Sequence, residues 1–379
     1  MSELPEFMWA GVALAALLAL WLAWAAAVSW HYRVRHPPPA VLRARALDGW
    51  ELAVHHRPSK ARRYLEPVVL CHGFAANRYT FELDPPYSLA VALSQAGFDC
   101  YTPELRGTGA SSRAPRGRAP WDYSIDDHVE LDAPAIVNLA LERSGASRAF
   151  WVAHSLGGLI GYAAAQGPVR GKLAGLAAIG SPLACGTDPF LRGVVHVGAL
   201  AAWPFGLRQR LLSLTLAPFL GYVTLPLSDV IVNPQHIPPP LQRKVYARMI
   251  SRMGRHVLEQ LDDWFRRDVF QSRDGRVDWR AGLKSLDVPL LVMGGSRDKL
   301  APPAALKLQY ELAGSLDKTL LVFGRDRGDA LDYGHGDLLF GAGAPKEVYP
   351  LLREWLEKRA TPLSGAGGVP GAANAARPA

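Results

Sequence analysis

The run Ala153-His154-Ser155-Leu156-Gly157-Gly158 sits between an apolar strand-like stretch, Arg148–Ala153, and a helical pattern from Leu156 to about Gln166. A serine there occupies a tight strand-to-helix turn, where small neighbours let the backbone bend sharply. The helix start beneath it offers free N–H groups and the positive end of the helix dipole. Its hydroxyl is thereby presented at the C-terminal edge of a sheet, where open α/β sheets place their sites. Ala153 stands where the G-x-S-x-G pattern has its first glycine, a departure of one methyl group. A serine hydroxyl attacks a carbonyl carbon at neutral pH only beside a base.

Sites of this kind supply the acid, then the base, later in the chain. Asp298 closes the apolar run Leu290-Leu291-Val292-Met293-Gly294-Gly295-Ser296-Arg297-Asp298 and falls on the same sheet edge as Ser155. There it would hold an imidazole in one tautomer and stabilise it once protonated. The alternative role for Asp298 is an N-cap for the helix after Pro302-Pro303. Among eleven histidines, His335 is singled out by its place in the order and by its Gly-flanked loop, Asp332-Tyr333-Gly334-His335-Gly336-Asp337, before the last helix. Asp326, Asp329, Asp332 and Asp337 crowd that stretch as loop or cap residues, with Asp332 a fallback acid.

Cleavage of an ester also develops an oxyanion, and a fixed N–H donor facing it is worth about 3 kcal/mol. Leu156, next after the serine, supplies one N–H. Val69-Leu70-Cys71-His72-Gly73-Phe74 supplies the second through Phe74, with Gly73 allowing the turn. His72 reads as a loop-organising residue rather than a second base.

The elements that must position these groups follow a βα rhythm. Strand-like runs at Val41–Leu47 and Trp50–His56 flank the hairpin turn Asp48-Gly49. Further strands are expected at Pro67–Leu70, Phe98–Leu105, Arg148–Ala153, Leu173–Ile179, Pro289–Gly294 and Thr319–Phe323, with helices at Ile125–Leu141, Leu156–Gln166 and Pro345–Lys358. Ser124 and Asp127 suit the cap of the first of these helices, and Pro134 inside it implies a kink or a later start. Alternating strands and helices predict an α/β fold, a mostly parallel sheet with helices on both faces and an antiparallel hairpin at one edge. Between Pro182 and Leu286 the rhythm breaks into an apolar, Pro-punctuated, helical block (Phe190–Trp203, Leu207–Leu220, Leu241–Phe265). A crossover of a hundred residues is far longer than neighbouring strands need, so the block reads as an inserted helical cap.

From Phe7 to Trp30 the chain carries no charge. As a helix this run is about 36 Å long, enough to cross a bilayer with some tilt. Trp9 at one end and Trp30 and Tyr32 at the other suit the two interfaces. The alternative is a signal peptide cleaved near Ala25-Ala26-Ala27; the acidic start MSELPE and the length of the run speak for an anchor. Glu3 and Glu6 precede it, while Arg33, Arg35, Arg43 and Arg45 follow, which places the body on the cytoplasmic side of a single-pass membrane protein. His36-Pro37-Pro38-Pro39 is a stiff linker. The expected layout is residues 1–36 as anchor and linker, 37–182 with 286–360 as the α/β core, 183–285 as the cap, and 361–379 as a Gly/Pro-rich disordered tail.

The 379 residues carry a formal net charge of +8. No Lys/Arg stripe interleaved with aromatics accompanies it, so the charge reads as solvating rather than as a nucleic-acid surface. Cys71, Cys100 and Cys185 are an odd count without metal spacing, and a disulfide framework is not expected. No metal and no cofactor are called for.

Leu70–Asn77, Asp99–Ser112, Trp121–Pro134, Trp151–Gly158, Gly294–Asp298 and His335–Tyr349 together resemble the α/β-hydrolase superfamily, most of all its acid lipase branch. The final segment, His335-Gly336-Asp337-Leu338-Leu339-Phe340-Gly341 with Ala344–Tyr349, is the most specific part. The similarity runs over Leu52–Pro182 and Leu286–Glu357 and leaves the cap unmatched. It implies the α/β-hydrolase fold, a nucleophile at Ser155, an acid at Asp298, a base at His335 and backbone donors at Phe74 and Leu156, with no cofactor. The absence of a secretion signal and of paired cysteines argues against an extracellular fat-digesting role. The expected function is hydrolysis of a carboxylic ester of a lipid or other small hydrophobic substrate through an acyl-enzyme. An acyltransferase or polyester-related enzyme could use the same triad with an alcohol in place of water. A catalytically silent membrane scaffold is the third reading.

Overall fold

The computed structural model describes residues 6–37, 39–183, 189–202, 209–222, 230 and 232–363. Cys185 and the tail from position 364 lie outside these residues, as do Pro38 of the linker, Trp203, and positions 207 and 208 of the expected cap helices.

Eight strands form one sheet: β1 (Ala40–Arg45), β2 (Glu51–Arg57), β3 (Val68–Cys71), β4 (Cys100–Pro103), β5 (Ala149–His154), β6 (Leu173–Ile179), β7 (Leu290–Gly295) and β8 (Lys318–Phe323). Their spatial order is β1-β2-β4-β3-β5-β6-β7-β8. The β1–β2 hairpin and the β2–β4 pair are antiparallel, and every other pairing is parallel. The sequence of the central strands explains their position. β3, β5 and β6 read VVLC, AFWVAH and LAGLAAI and are buried at every residue, as strands covered on both faces must be. Successive side chains leave opposite faces of the sheet. Val69, Cys71, Trp151 and Ala153 accordingly join one apolar cluster, while Val68, Leu70, Phe150 and Val152 join the other.

In chain order the helices that matter are α1 (Glu6–His31), α2 (Leu89–Gln95), α3 (Ala133–Ser144), α4 (Leu156–Gln166), α5 (Pro189–Ala201), α6 (Arg210–Leu216), α7 (Pro239–Met249), α8 (Arg255–Arg267), α9 (Pro303–Leu312) and α10 (Ala344–Glu357). Ser124 and Asp127 form a capping box at Ile125, as their spacing suggests. The helix expected from Ile125 to Leu141 is not regular: residues His128–Asp132 make a π-helical turn before α3 begins. Pro134, in the first turn of α3, lacks an N–H and crowds the carbonyl four residues back, and the wider turn relieves both problems.

The chain from 180 to 289 leaves the sheet between β6 and β7 and includes α5 to α8. The single helix expected over Leu241–Phe265 is a second departure. It is two helices, α7 and α8, because Ile250 turns extended and the Ser251 N–H donates to the Ala75 carbonyl. Asn77 Nδ2 donates to the Arg248 carbonyl at 2.9 Å and secures the same break. A contact with the loop after β3 thus outcompetes one more helical turn. α1 is apolar throughout; its residues Met8–His31 are long and apolar enough to cross a membrane.

Candidate active site

Ser155 is the residue between β5 and α4, and it holds φ 54°, ψ −125°. A non-glycine residue in that region is strained, and the surroundings must enforce it. The enforcing contacts are visible. The Ser155 N–H donates to the Ile179 carbonyl at 2.9 Å, and the Ser155 carbonyl accepts from Gly158 at 2.9 Å. A Cβ on Gly157 would lie 2.5 Å from the Cys71 carbonyl oxygen, so only glycine lets α4 press this closely on the end of β3. Gly73 is as constrained, since a Cβ there would lie 2.8 Å from the Ser155 Cβ. The loop carrying Phe74 therefore lies directly against the serine.

Asp298, in the turn after β7, is buried, and its Oδ2 meets His335 Nδ1 at 2.9 Å. Its other oxygen accepts from the Leu300 and Ala301 N–H groups at 2.9 and 2.7 Å. These two bonds fix the carboxylate within its own turn. Asp298 is not the N-cap of α9; that position is Pro302. A carboxylate can only accept, so the proton of the pair belongs on Nδ1 and the Nε2 lone pair is left available. The end of β6 backs onto the pair: a Cβ on Gly180 would lie 3.2 Å from His335 Nδ1 and 3.3 Å from Asp298 Oδ2. Asp332, the fallback acid, serves elsewhere, accepting from Ser296 Oγ at 2.9 Å and Arg325 N at 3.0 Å.

The imidazole of His335 is brought to the serine turn through its neighbour. His154 Nε2 donates to the His335 carbonyl at 3.1 Å, and the two rings lie tilted with centroids 4.6 Å apart. Burial, reinforced by the nearby His335, pushes His154 down to about 3, which keeps it a neutral donor. Among the described residues Ser155 Oγ makes no hydrogen bond, to His335 or to any other group.

His72 is also buried, and burial pushes it down to about 4. Its Nδ1 donates to the Gly73 carbonyl at 2.9 Å and its Nε2 accepts the Leu105 N–H at 3.2 Å. Both nitrogens are spent on loop backbone, so His72 ties the Phe74 loop to the end of β4 and is not a second base. Phe74 and Leu156 line a small crevice of about 20 Å³ whose walls include Gly73, Thr108 and Tyr123. Arg252 borders this crevice and also a cavity of about 460 Å³ lined by Asn77, Tyr79, Glu104, Arg210, Leu211 and Ser251.

Two residues of this arrangement escape a reading of the sequence. His154 would be found only by asking what holds the His335 loop. Asp337, expected as a loop or cap residue, is buried and accepts the Gly334 N–H at 2.8 Å and the Asn233 N–H at 3.0 Å. Burial pushes it up to about 6. Asp337 thereby fastens the His335 loop to the segment inserted between β6 and β7.

A sequence model of the α/β hydrolase fold matches residues 66–223, which include Ser155. A tear acid lipase-like protein from Mesocricetus auratus is 33 % identical over 103 residues, 26 % of each chain. The human protein lipase member K is 31 % identical over 127 residues, 31 % of this chain and 32 % of its own length. The alignments thus span about a quarter to a third of these curated relatives. Among solved structures, a soluble variant of the monoglyceride lipase of Saccharomyces cerevisiae superposes with a TM-score of 0.60 at 18 % identity, over 87 % of this chain and 98 % of that one. Sheet order and superposition agree on the α/β-hydrolase fold, and over about a quarter to a third of its length the sequence is similar to the acid lipases.

Proposed function

We propose that the protein is a serine hydrolase that cleaves the carboxylic ester of a lipid or other hydrophobic substrate. The observation that carries this reading is the 2.9 Å Asp298–His335 pair, held by its loops next to a serine with a strained backbone. His335 Nε2 takes the proton of Ser155 as Oγ bonds to the ester carbonyl carbon. The negative charge on the carbonyl oxygen is met by the Phe74 and Leu156 N–H groups. The C–O bond to the alcohol then breaks, the imidazolium gives the alcohol its proton, and an acyl-enzyme remains on Ser155. Water, deprotonated by the same imidazole, releases the acid and restores the serine. Asp298 keeps Nδ1 protonated and stabilises the cation formed midway. α1 would hold the enzyme in the membrane where such esters reside, with the body on the cytoplasmic side.

Ser155→Ala is expected to lower p-nitrophenyl ester turnover by at least about a thousandfold and to abolish labelling by a fluorophosphonate, with far-UV circular dichroism unchanged. Turnover equal to the parent in a folded S155A protein removes Ser155 from the mechanism.

A further inference from the structure

α1 does not stand apart from the body. Trp21 Nε1 donates to Thr215 Oγ1 on α6 at 2.7 Å, and Arg248 Nη1 on α7 donates to Ser29 Oγ at 3.3 Å. Ala25 and Val28 pack with Leu214, Ala217 and Ala247 in a small apolar cluster of their own, with Tyr32 against its edge. Trp21, Ala25, Val28 and Tyr32 follow one another at four, three and four residues, a single stripe along the helix. The stripe has a consequence for depth. Ten residues separate Trp21 from His31, so the contact with Thr215 lies roughly 15 Å along the axis from the end of the helix. A bilayer core is about 30 Å thick. If α1 spans it, α6 occupies one leaflet beside α1.

We infer that Arg210–Tyr222, comprising α6 and the turn after it, is inserted in the bilayer leaflet next to α1, and that lipid substrate enters the cavity sideways from that leaflet. The inference rests on reading α1 as a membrane span and Ser155 as the nucleophile. The surface that α1 leaves uncovered is suited to hydrocarbon: Leu212, Phe219 and Tyr222 are 57 %, 53 % and 80 % exposed. The two hydroxyls of α6 are paired within the protein, and Arg210 at its start lines the cavity. Thr215 Oγ1 donates to the Leu211 carbonyl at 2.9 Å while accepting from Trp21, and Ser213 Oγ donates to the Tyr246 carbonyl. Hydrocarbon tolerates polar groups only when they are paired in this way. Arg210–Phe219 is too short to cross a membrane, which suits an element lying within one leaflet. Its first turn is also the wall of the larger cavity, through Arg210 and Leu211. The same short element thus carries residues left open beside α1 and residues that line the cavity. The substrate class selected by this geometry is a long-chain ester already dissolved in the bilayer.

The full chain with Cys185→Ser, carrying in turn Leu212→Cys, Leu18→Cys or Leu316→Cys, is labelled with a nitrobenzoxadiazole fluorophore and reconstituted in phosphatidylcholine–phosphatidylglycerol vesicles. Leu18 is on α1, and Leu316 is a fully exposed residue of the sheet domain. Lipids bearing a nitroxide on the acyl chain should quench the labels at 18 and 212 at least twofold more than the label at 316. Quenching at 18 with a label at 212 that behaves like 316 overturns the insertion of α6 while leaving the anchor intact. A water-exposed label at 18 overturns the anchor, and the inference with it. Leu212→Asp should lower long-chain ester turnover in vesicles at least fivefold and leave short-chain ester turnover in detergent unchanged. An equal change in both assays, or none, removes the leaflet route.

Discussion

Burial keeps two histidines around Ser155 uncharged, and this has a pH signature. His154 and His72 are pushed down to about 3 and about 4. In the unfolded chain both take up a proton near pH 6.5. Below that value the unfolded state binds protons that the native state refuses, so stability falls as pH falls through this window and is fully present above it. The melting temperature in detergent should drop between pH 7.5 and pH 5.0. His154→Gln keeps a donor for the His335 carbonyl but cannot titrate, and its melting temperature should fall less over the same interval; an identical fall would mean that His154 is already charged in the native state. Ser155, Asp298 and His335 are legible in the sequence because each lies in a local pattern: a strand, a tight turn of small residues, an order along the chain. The tasks of His154 and Asp337 are not, since their partners are His335 and Asn233, 181 and 104 residues away.

Elements obey the same division. The strands announce themselves through continuous apolar runs, and every expected strand is present with ends shifted by no more than two residues. The break between α7 and α8 is silent, because the apolar spacing continues through Ile250–Gly254 and the interruption is imposed by Ala75 and Asn77. Nor could the stripe on α1 that meets α6 be read, since that helix is apolar on every side. The loop after β3 shows how finely one element is fitted to another. A methyl group on Gly73 would lie 2.8 Å from the Ser155 Cβ and 2.9 Å from the His154 carbonyl oxygen, both too close to be accommodated without movement. Gly73→Ala should therefore displace the Phe74 N–H and lower kcat at least tenfold, about 1.4 kcal/mol of transition-state stabilisation, with KM much less affected and the melting temperature lowered by the overpacking. Unchanged kcat would show that the Phe74 amide does not face the developing charge.

At the scale of the whole molecule, charge bears on the membrane orientation proposed above. The basic residues Arg33 and Arg35 follow α1 directly, and cytoplasmic flanks carry such residues preferentially. Protease added to sealed vesicles of known orientation should digest the body only where the cytoplasmic face is outward; digestion from the opposite face alone would reverse the topology. The Asp337 carboxylate bears on how such a body can move. One of its oxygens receives an amide from the inserted segment and the other an amide from the His335 loop. Lifting the segment at Asn233 would strip the amide from Oδ1 while Gly334 stays on Oδ2. A displacement of the inserted segment that keeps the Asn233 contact therefore leaves the His335 loop tied to it.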